Sequence, residues 1–402
     1  TKESHYLAWG GSWHTSSGSK KDIRIGRTCF PDEYLGAPEF ADVKTPEEVY
    51  PIARDFLREV IRYAHLRKVQ VCLTLGEIPY APPNLVPERL KRMGGYRGQY
   101  RYCGMSMPIG EPEVLDLWEA AMLSMIETYP EADSYGVWAP EHSTPVREAP
   151  RQALLRKYPE ARALILPAEE ISRRGYPRVD SELVLDNDFA QICVVGELFA
   201  RIQEQHPKVK LGVITLFRAY LLRATDALLP KDAWIMNLES NAYFKSPMPF
   251  YEGITDRDLL VMPNVDDDGC ELNMQLNAMM YDRDETITGA AKYGLAGFIG
   301  YLCKERGVEC NVRYLADGAW NPDIARRPFY EKYFGRLYGP DALELMVDAF
   351  LLLEQNEKDL SWWGRQDIFI GYGPFSPCSL RTDVNYKEAK LNLDRQQLQR
   401  DI

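Results

Sequence analysis

No stretch of this sequence approaches the roughly 18 consecutive apolar residues that mark a membrane-spanning helix. A block of lysine and arginine is missing too. With 59 acidic against 48 basic residues and a formal net charge of −11, neither nucleic acid nor an anionic membrane surface is expected as a partner. Cysteine forms no CxxC pair: its eight residues lie scattered at 29, 72, 103, 193, 270, 303, 310 and 378. Cys72, Cys193 and Cys303 sit inside apolar runs, where a free thiol behaves as a small hydrophobe, so structural thiols are expected, with a disulfide or two left open for an exported protein. The five histidines are isolated, with no HxH or HExxH, so no zinc site is expected and no cofactor is implied. GxSxG is absent, and with it the mark of a nucleophile elbow. Neither GxGxxG nor GxxxxGK[ST] follows the first strand, which removes the usual mark of a nucleotide-binding open sheet. No internal repeat and no low-complexity tract is found. The chain starts at Thr1 without a signal-like apolar region, and its compartment, cytoplasmic, periplasmic or secreted, is not readable from that end; nor is its oligomeric state.

What is there is a chain of 402 residues, 45% hydrophobic, long enough to bury a sizeable core. In "TPEEVYPIARDFLREVIRYAHLRK", Thr45 suits an N-cap, Pro46 the first helical position and Glu48 a capping box. The residues Val49, Ile52, Ala53, Phe56, Val60 and Ala64 then predict one apolar stripe. Directly after comes "VQVCLTL", apolar on both faces, which predicts a buried parallel strand ending at Gly76 and Glu77. The unit repeats: "EVLDLWEAAMLSMIETY" and "SYGVWA", "SELVLDNDFAQICVVGELFARIQEQ" and "KLGVITLF", "YLLRATDALL" and "AWIMNL" each read as helix then strand. "DLLVMPNV", a helical stretch around "MQLNAMMYDRDETITGAAKYG" and "LAGFIGYL" follow, and beyond Asn321 the text turns helical, then aromatic and loop-rich.

Six strand candidates separated by helical crossovers predict a parallel α/β sheet. Nearly every one ends in polar residues (Glu77, Glu141, Arg218, Glu239, Asp266, Lys304), as in a (β/α)8 TIM barrel with its site at the strands' carboxyl ends. Counted back from the last, these are strands three to eight. "HYLAWGGSWH" holds the end of strand two and strand one is missing or eroded, with a polar rim loop over 10–44. The expected organisation is a catalytic barrel over 1–321 and a C-terminal helical and loop region over 322–402.

Carboxylates at strand carboxyl ends sit in a partly desolvated mouth, where one is held protonated and another ionised. Such a pair hydrolyses glycosides. Glu141 is the first choice for the general acid, stiffened by Pro140 and Pro145, with His142 beside it as a substrate contact or a solvated loop residue. The second carboxylate is Asp266, from the run Asp266, Asp267, Asp268, or Glu239, whose alternation with Asn237 is expected to turn both toward the mouth. Asn264, Asp266, Asp268 and Gly269 match half of an EF-hand loop, but its twelfth position is Gln275 rather than a bidentate glutamate. Glu77 and Asp267 are assigned to substrate contact. Trp9, Trp13, Trp138, Tyr243, Trp320, Trp362 and Trp363 supply aromatic faces of the kind that stack on sugars.

At the last strand, "GFIGYLCKERGVECNVRYLADGAWNPD" resembles the closing segment of barrel glycoside hydrolases of the α-glucuronidase and β-hexosaminidase-like group. "VQVCLTLGEIPYAPPNL" is similar to that group's third strand and "DSYGVWAPEHS" to its fourth, which carries the general acid. The likeness spans roughly residues 60 to 340, in pattern more than in strict motif. It implies Glu141 as acid, with Arg306, Glu309 and Trp320 along the pocket wall. It also implies a uronic-acid glycan, its carboxylate clamped by Arg218, Arg306 or Arg313. Two departures stand out. Hexosaminidases place Asp before the catalytic Glu, where this chain has Pro140, which argues against a substrate-assisted mechanism; the Asn of large retaining families is absent as well. The function expected is a glycosidase acting on an oligo- or polysaccharide, against a non-catalytic carbohydrate-binding barrel or a polysaccharide lyase.

Overall fold

The computed structural model describes residues 46–77, 80–81, 86–93, 105–139, 145–174, 179–216, 218–239, 248–263, 286–300 and 309–360. Along them run α1 (Pro46–Leu66), β1 (Cys72–Glu77), β2 (Tyr80–Ala81), α2 (Glu88–Met93), β3 (Met105–Ser106), α3 (Pro112–Thr128) and β4 (Ser134–Trp138). Then come α4 (Glu148–Lys157), α5 (Pro159–Ala163), α6 (Ala168–Arg173), α7 (Glu182–Gln205), β5 (Leu211–Leu216), α8 (Leu222–Leu228) and β6 (Trp234–Glu239). The series continues with β7 (Leu259–Pro263), α9 (Thr286–Lys292), β8 (Gly297–Phe298), α10 (Glu309–Trp320), α11 (Arg326–Tyr338) and α12 (Leu343–Leu360).

All six expected strands are present and form one sheet in the order β1-β4-β5-β6-β7-β8. The pairings β1–β4, β4–β5 and β7–β8 are parallel. The architecture is α/β with a parallel sheet, and among the described strands the order shows no reversal. β2 and β3 form a separate antiparallel pair, Tyr80 against Ser106 and Ala81 against Met105, which the sequence reading did not anticipate.

The described residues divide into two compact units, one drawn from 1–172, 177–236 and 254–258, the other from 173–176, 237–253 and 259–402. In the first, α7 is the main helical wall. Ser181 caps its N-terminus, accepting from the Val184 N–H, and Phe189, Cys193, Leu198, Phe199 and Ile202 are fully or almost fully buried along it. Arg201 ties it to α3 through Asp116 at 2.8 Å and Glu119 at 2.9 Å. Tyr135 of β4 donates to the Tyr129 carbonyl at the end of α3, so its row faces helix. The opposite row contains Gly136, Gly212 and Trp234. A Cβ on Gly212 would stand 1.9 Å from the indole and one on Gly136 2.8 Å, so both glycines make the slot in which Trp234 lies.

Two expectations about this unit are corrected. "VQVCLTL" is not buried on both faces: Cys72 and Thr74 of β1 are exposed, because β1 ends the sheet order with β4 as its one neighbour among the described strands. The apolar stripe of α1 is also rotated. Phe56 is 56% and Val60 40% exposed while Ile61 is fully buried, since the apolar arc of this helix is wider than the surface it covers.

The second unit has an aromatic core in which Tyr314, Phe329, Tyr330, Phe334, Val347 and Phe350 are buried together. Tyr314 meets Phe329 edge-on at 4.9 Å and Phe334 meets Phe350 at 4.6 Å, geometries the ring quadrupole favours. Gly339, at φ +72°, ends α11 in a conformation that suits glycine. Glu354 of α12 is fully buried and is held by Arg326 and by the Tyr330 hydroxyl at 2.6 Å, which offsets the cost of its charge. Among the described residues no helix is long and apolar enough to cross a membrane.

Candidate functional site at the strand carboxyl ends

A bulge between Leu75 and Glu77 shifts the register of β1, so that Glu77 pairs with Trp138, the last residue of β4, and Trp138 in turn pairs with Ile214 of β5. The carboxyl ends of β1 and β4 therefore lie level, and β5 runs two residues further. Trp138 is half-buried, and its indole N–H donates to Thr74 Oγ1 at 3.0 Å, which ties the ring to the middle of β1. Glu239 is the last residue of β6, and Asn237 two positions earlier is fully buried. Thr215, near the end of β5, donates to the Met236 carbonyl at 3.2 Å.

Beyond β5 lies a charged cluster. Arg218, 3% exposed, pairs with the buried Asp188 of α7 at 3.2 Å, and the Tyr220 hydroxyl donates to the other carboxylate oxygen at 2.7 Å. Burial, and after it the Asp188 charge, push the Tyr220 hydroxyl well above the usual phenol range, so it stays a donor. A buried charge needs such compensation: the carboxylate neutralises the guanidinium and the phenol satisfies a further lone pair. One residue earlier on α7, Asn187 is 7% exposed and its Oδ1 accepts the Val146 N–H at 3.1 Å. Arg151 of α4 donates to the Val146 carbonyl at 2.8 Å and to Asn187 Oδ1 at 3.3 Å.

The sequence reading named neither Asp188, Asn187, Arg151, Tyr220 nor Thr74. A signal existed for α7: Asn187, Asp188 and Gln191 interrupt a helix otherwise apolar on most sides, and each is buried. Among the other candidates, Glu309 lies exposed in the first turn of α10 and Trp320 ends that helix 92% exposed. Arg313 of the same helix pairs with Asp317 at 2.8 Å. Trp9, Glu141, His142, Asp266, Asp267 and Arg306 lie outside the described residues, as do Trp13, Tyr243, Trp362 and Trp363. Of Glu77 and Glu239 the backbone position alone is described. Among the described residues no group of three or more His, Cys, Asp or Glu converges as metal ligands would. No protein-family model matches the chain, and no curated protein matches it.

Proposed function

We propose that the chain is a glycoside hydrolase built on a (β/α)8 barrel, in which the six strands are the third to eighth. The observation that carries this reading is the position of the acids. Glu77 and Glu239 end β1 and β6, Glu141 follows β4 by three residues and Asp266 follows β7 by three. A parallel α/β sheet places its reacting groups at that end.

In this reading Glu141 protonates the departing glycosidic oxygen, and Asp266 or Glu239 attacks the anomeric carbon or activates water. Trp138 stacks on a sugar ring, with Trp9, Trp320, Glu77, Asp267, His142 and Glu309 as further substrate contacts. The substrate is an oligo- or polysaccharide carrying uronic acid. Of the three arginines weighed for its carboxylate, Arg218 is buried against Asp188 and Arg313 pairs with Asp317, which favours Arg306 as the clamp.

The purified chain incubated with a panel of plant and algal polysaccharides and aryl glycosides is expected to release reducing sugar. Tight binding without release would support a binding module instead, and an unsaturated product absorbing in the ultraviolet would identify a lyase. On an accepted substrate, comparison of Glu239→Gln with Asp266→Asn identifies the second carboxylate as the one whose loss stops turnover.

A further inference from the structure

We infer that the outward face of α1 is an interface with a second copy of this chain, the two helices packing antiparallel about a two-fold axis level with residues 60 and 61. Phe56, Val60, Tyr63 and Leu66 recur at helical spacing and are 56%, 40%, 58% and 80% exposed, so they form one apolar stripe on the surface. Leu164 and Leu183, by contrast, are exposed singly, as is ordinary for a protein surface. The stripe has no way to turn inward, because the inner face of α1 is already tied down. Ile61 is fully buried, Arg58 Nη2 donates to the Thr128 carbonyl at 2.7 Å, and His65 Nε2 contacts Asp133 Oδ2 at 2.9 Å. Rotation of the helix would break all three.

The charges beside the stripe decide what covers it. Glu59 and Arg62 are exposed, and neither makes a salt bridge among the described residues. Asp55, held by Arg54 at 2.8 Å, lies on the acidic side of the axis. Arg67, whose guanidinium stands 5.1 Å over the Tyr63 ring, lies on the basic side. A partner of one charge sign would be repelled by half of this face. A second copy running the opposite way meets each half with its complement: Glu59 faces Arg62 of the second copy, Asp55 faces its Arg67 and Phe56 faces its Leu66. Such reciprocity is what an isologous interface demands, since each contact then occurs twice. The stripe runs over about three turns, short of the roughly 800 Å² per partner of a standard interface, so the dimer is expected to form at micromolar rather than nanomolar concentration.

The test is sedimentation velocity of the purified full chain between about 1 and 200 μM in low salt, where a concentration-dependent monomer–dimer equilibrium is expected. Glu59→Arg and Arg62→Glu each place like charges across the axis and are expected to weaken association at least about tenfold. The two changes together in one chain exchange the signs and are expected to return the dissociation constant to within about threefold of the parent. Association that neither single variant weakens, or that the exchange does not recover, would overturn the proposal. Phe56→Ser with Val60→Ser removes the centre of the stripe and should give a monomer at every concentration. Its thermal transition should stay where it is, because both side chains are exposed in the monomer. A parent chain that stays monomeric up to about 200 μM would also overturn the proposal, whatever else covers the face.

Discussion

At the scale of single residues, the sheet is set by what is small. Gly212 and Gly136 stand where any side chain would enter the Trp234 indole, with 1.9 Å left for a Cβ at Gly212. The flexible end of a neighbouring chain yields to such a contact, but a ring filling the slot does not. Gly212→Ala should therefore cost about 3 kcal/mol, the upper part of the usual overpacking range, read as a lower urea midpoint at constant slope. A change below about 0.5 kcal/mol would show that the indole moves freely. This contact was not legible in "KLGVITLF", where Gly212 reads only as a weak point in a strand. The reason is that its partner, Trp234, lies 22 positions further along the chain.

Asp133 provides the pH-dependent counterpart. Its carboxylate accepts the Val71 N–H at 2.7 Å and contacts His65 Nε2 at 2.9 Å, and these bonds, the backbone one foremost, hold it below the ordinary carboxylate range. A depressed folded value stabilises above the unfolded value of about 3.9, and the stabilisation is lost as pH falls through the folded value. The side chain is 34% exposed, so the effect is modest. Asp133→Asn keeps the acceptor and removes the charge. It should cost about 1 kcal/mol at neutral pH and shrink toward nothing in acid, followed by thermal unfolding across pH. A penalty independent of pH would contradict the assignment.

At the scale of elements, most of the order was legible because period decides it. The six strands and the long helices α1, α3, α7, α11 and α12 all appear where apolar patterning placed them. The short helices α2, α4, α5 and α6 and the β2–β3 pair did not, since six residues such as Glu88–Met93 barely exceed one turn and carry little periodic signal. What sequence could not assign was which polar residue of α7 faces inward, because that depends on elements brought up from either side. Asp188 does, and its burial makes a sharp prediction. Asp188→Leu leaves Arg218 buried without its carboxylate and should cost about 3–5 kcal/mol. Adding Arg218→Met should recover much of that loss, so that the double variant is more stable than the sum of the singles implies. Strict additivity in denaturant unfolding would mean that the 3.2 Å pair contributes no coupling.

At the scale of the whole molecule, the strand order carries the argument. Among the described strands the order β1-β4-β5-β6-β7-β8 runs without reversal, so they show no switch point of the kind that nucleotide-binding open sheets use as their crevice. Glu77, Trp138 and Glu239 are the last residues of β1, β4 and β6, in the row of strand carboxyl ends. That row was legible in the sequence as polar residues closing apolar runs. The contacts behind it, Thr74 with Trp138 and Asn187 with Val146, were not, because each joins residues at least 41 positions apart. The most direct test of the glycosidase account is turnover by Glu141→Gln on a glycan that the parent cleaves, with thermal unfolding showing both chains equally folded. The account predicts a loss on the order of 10²-fold or more, as for removal of a general acid. Full turnover by Glu141→Gln would contradict it.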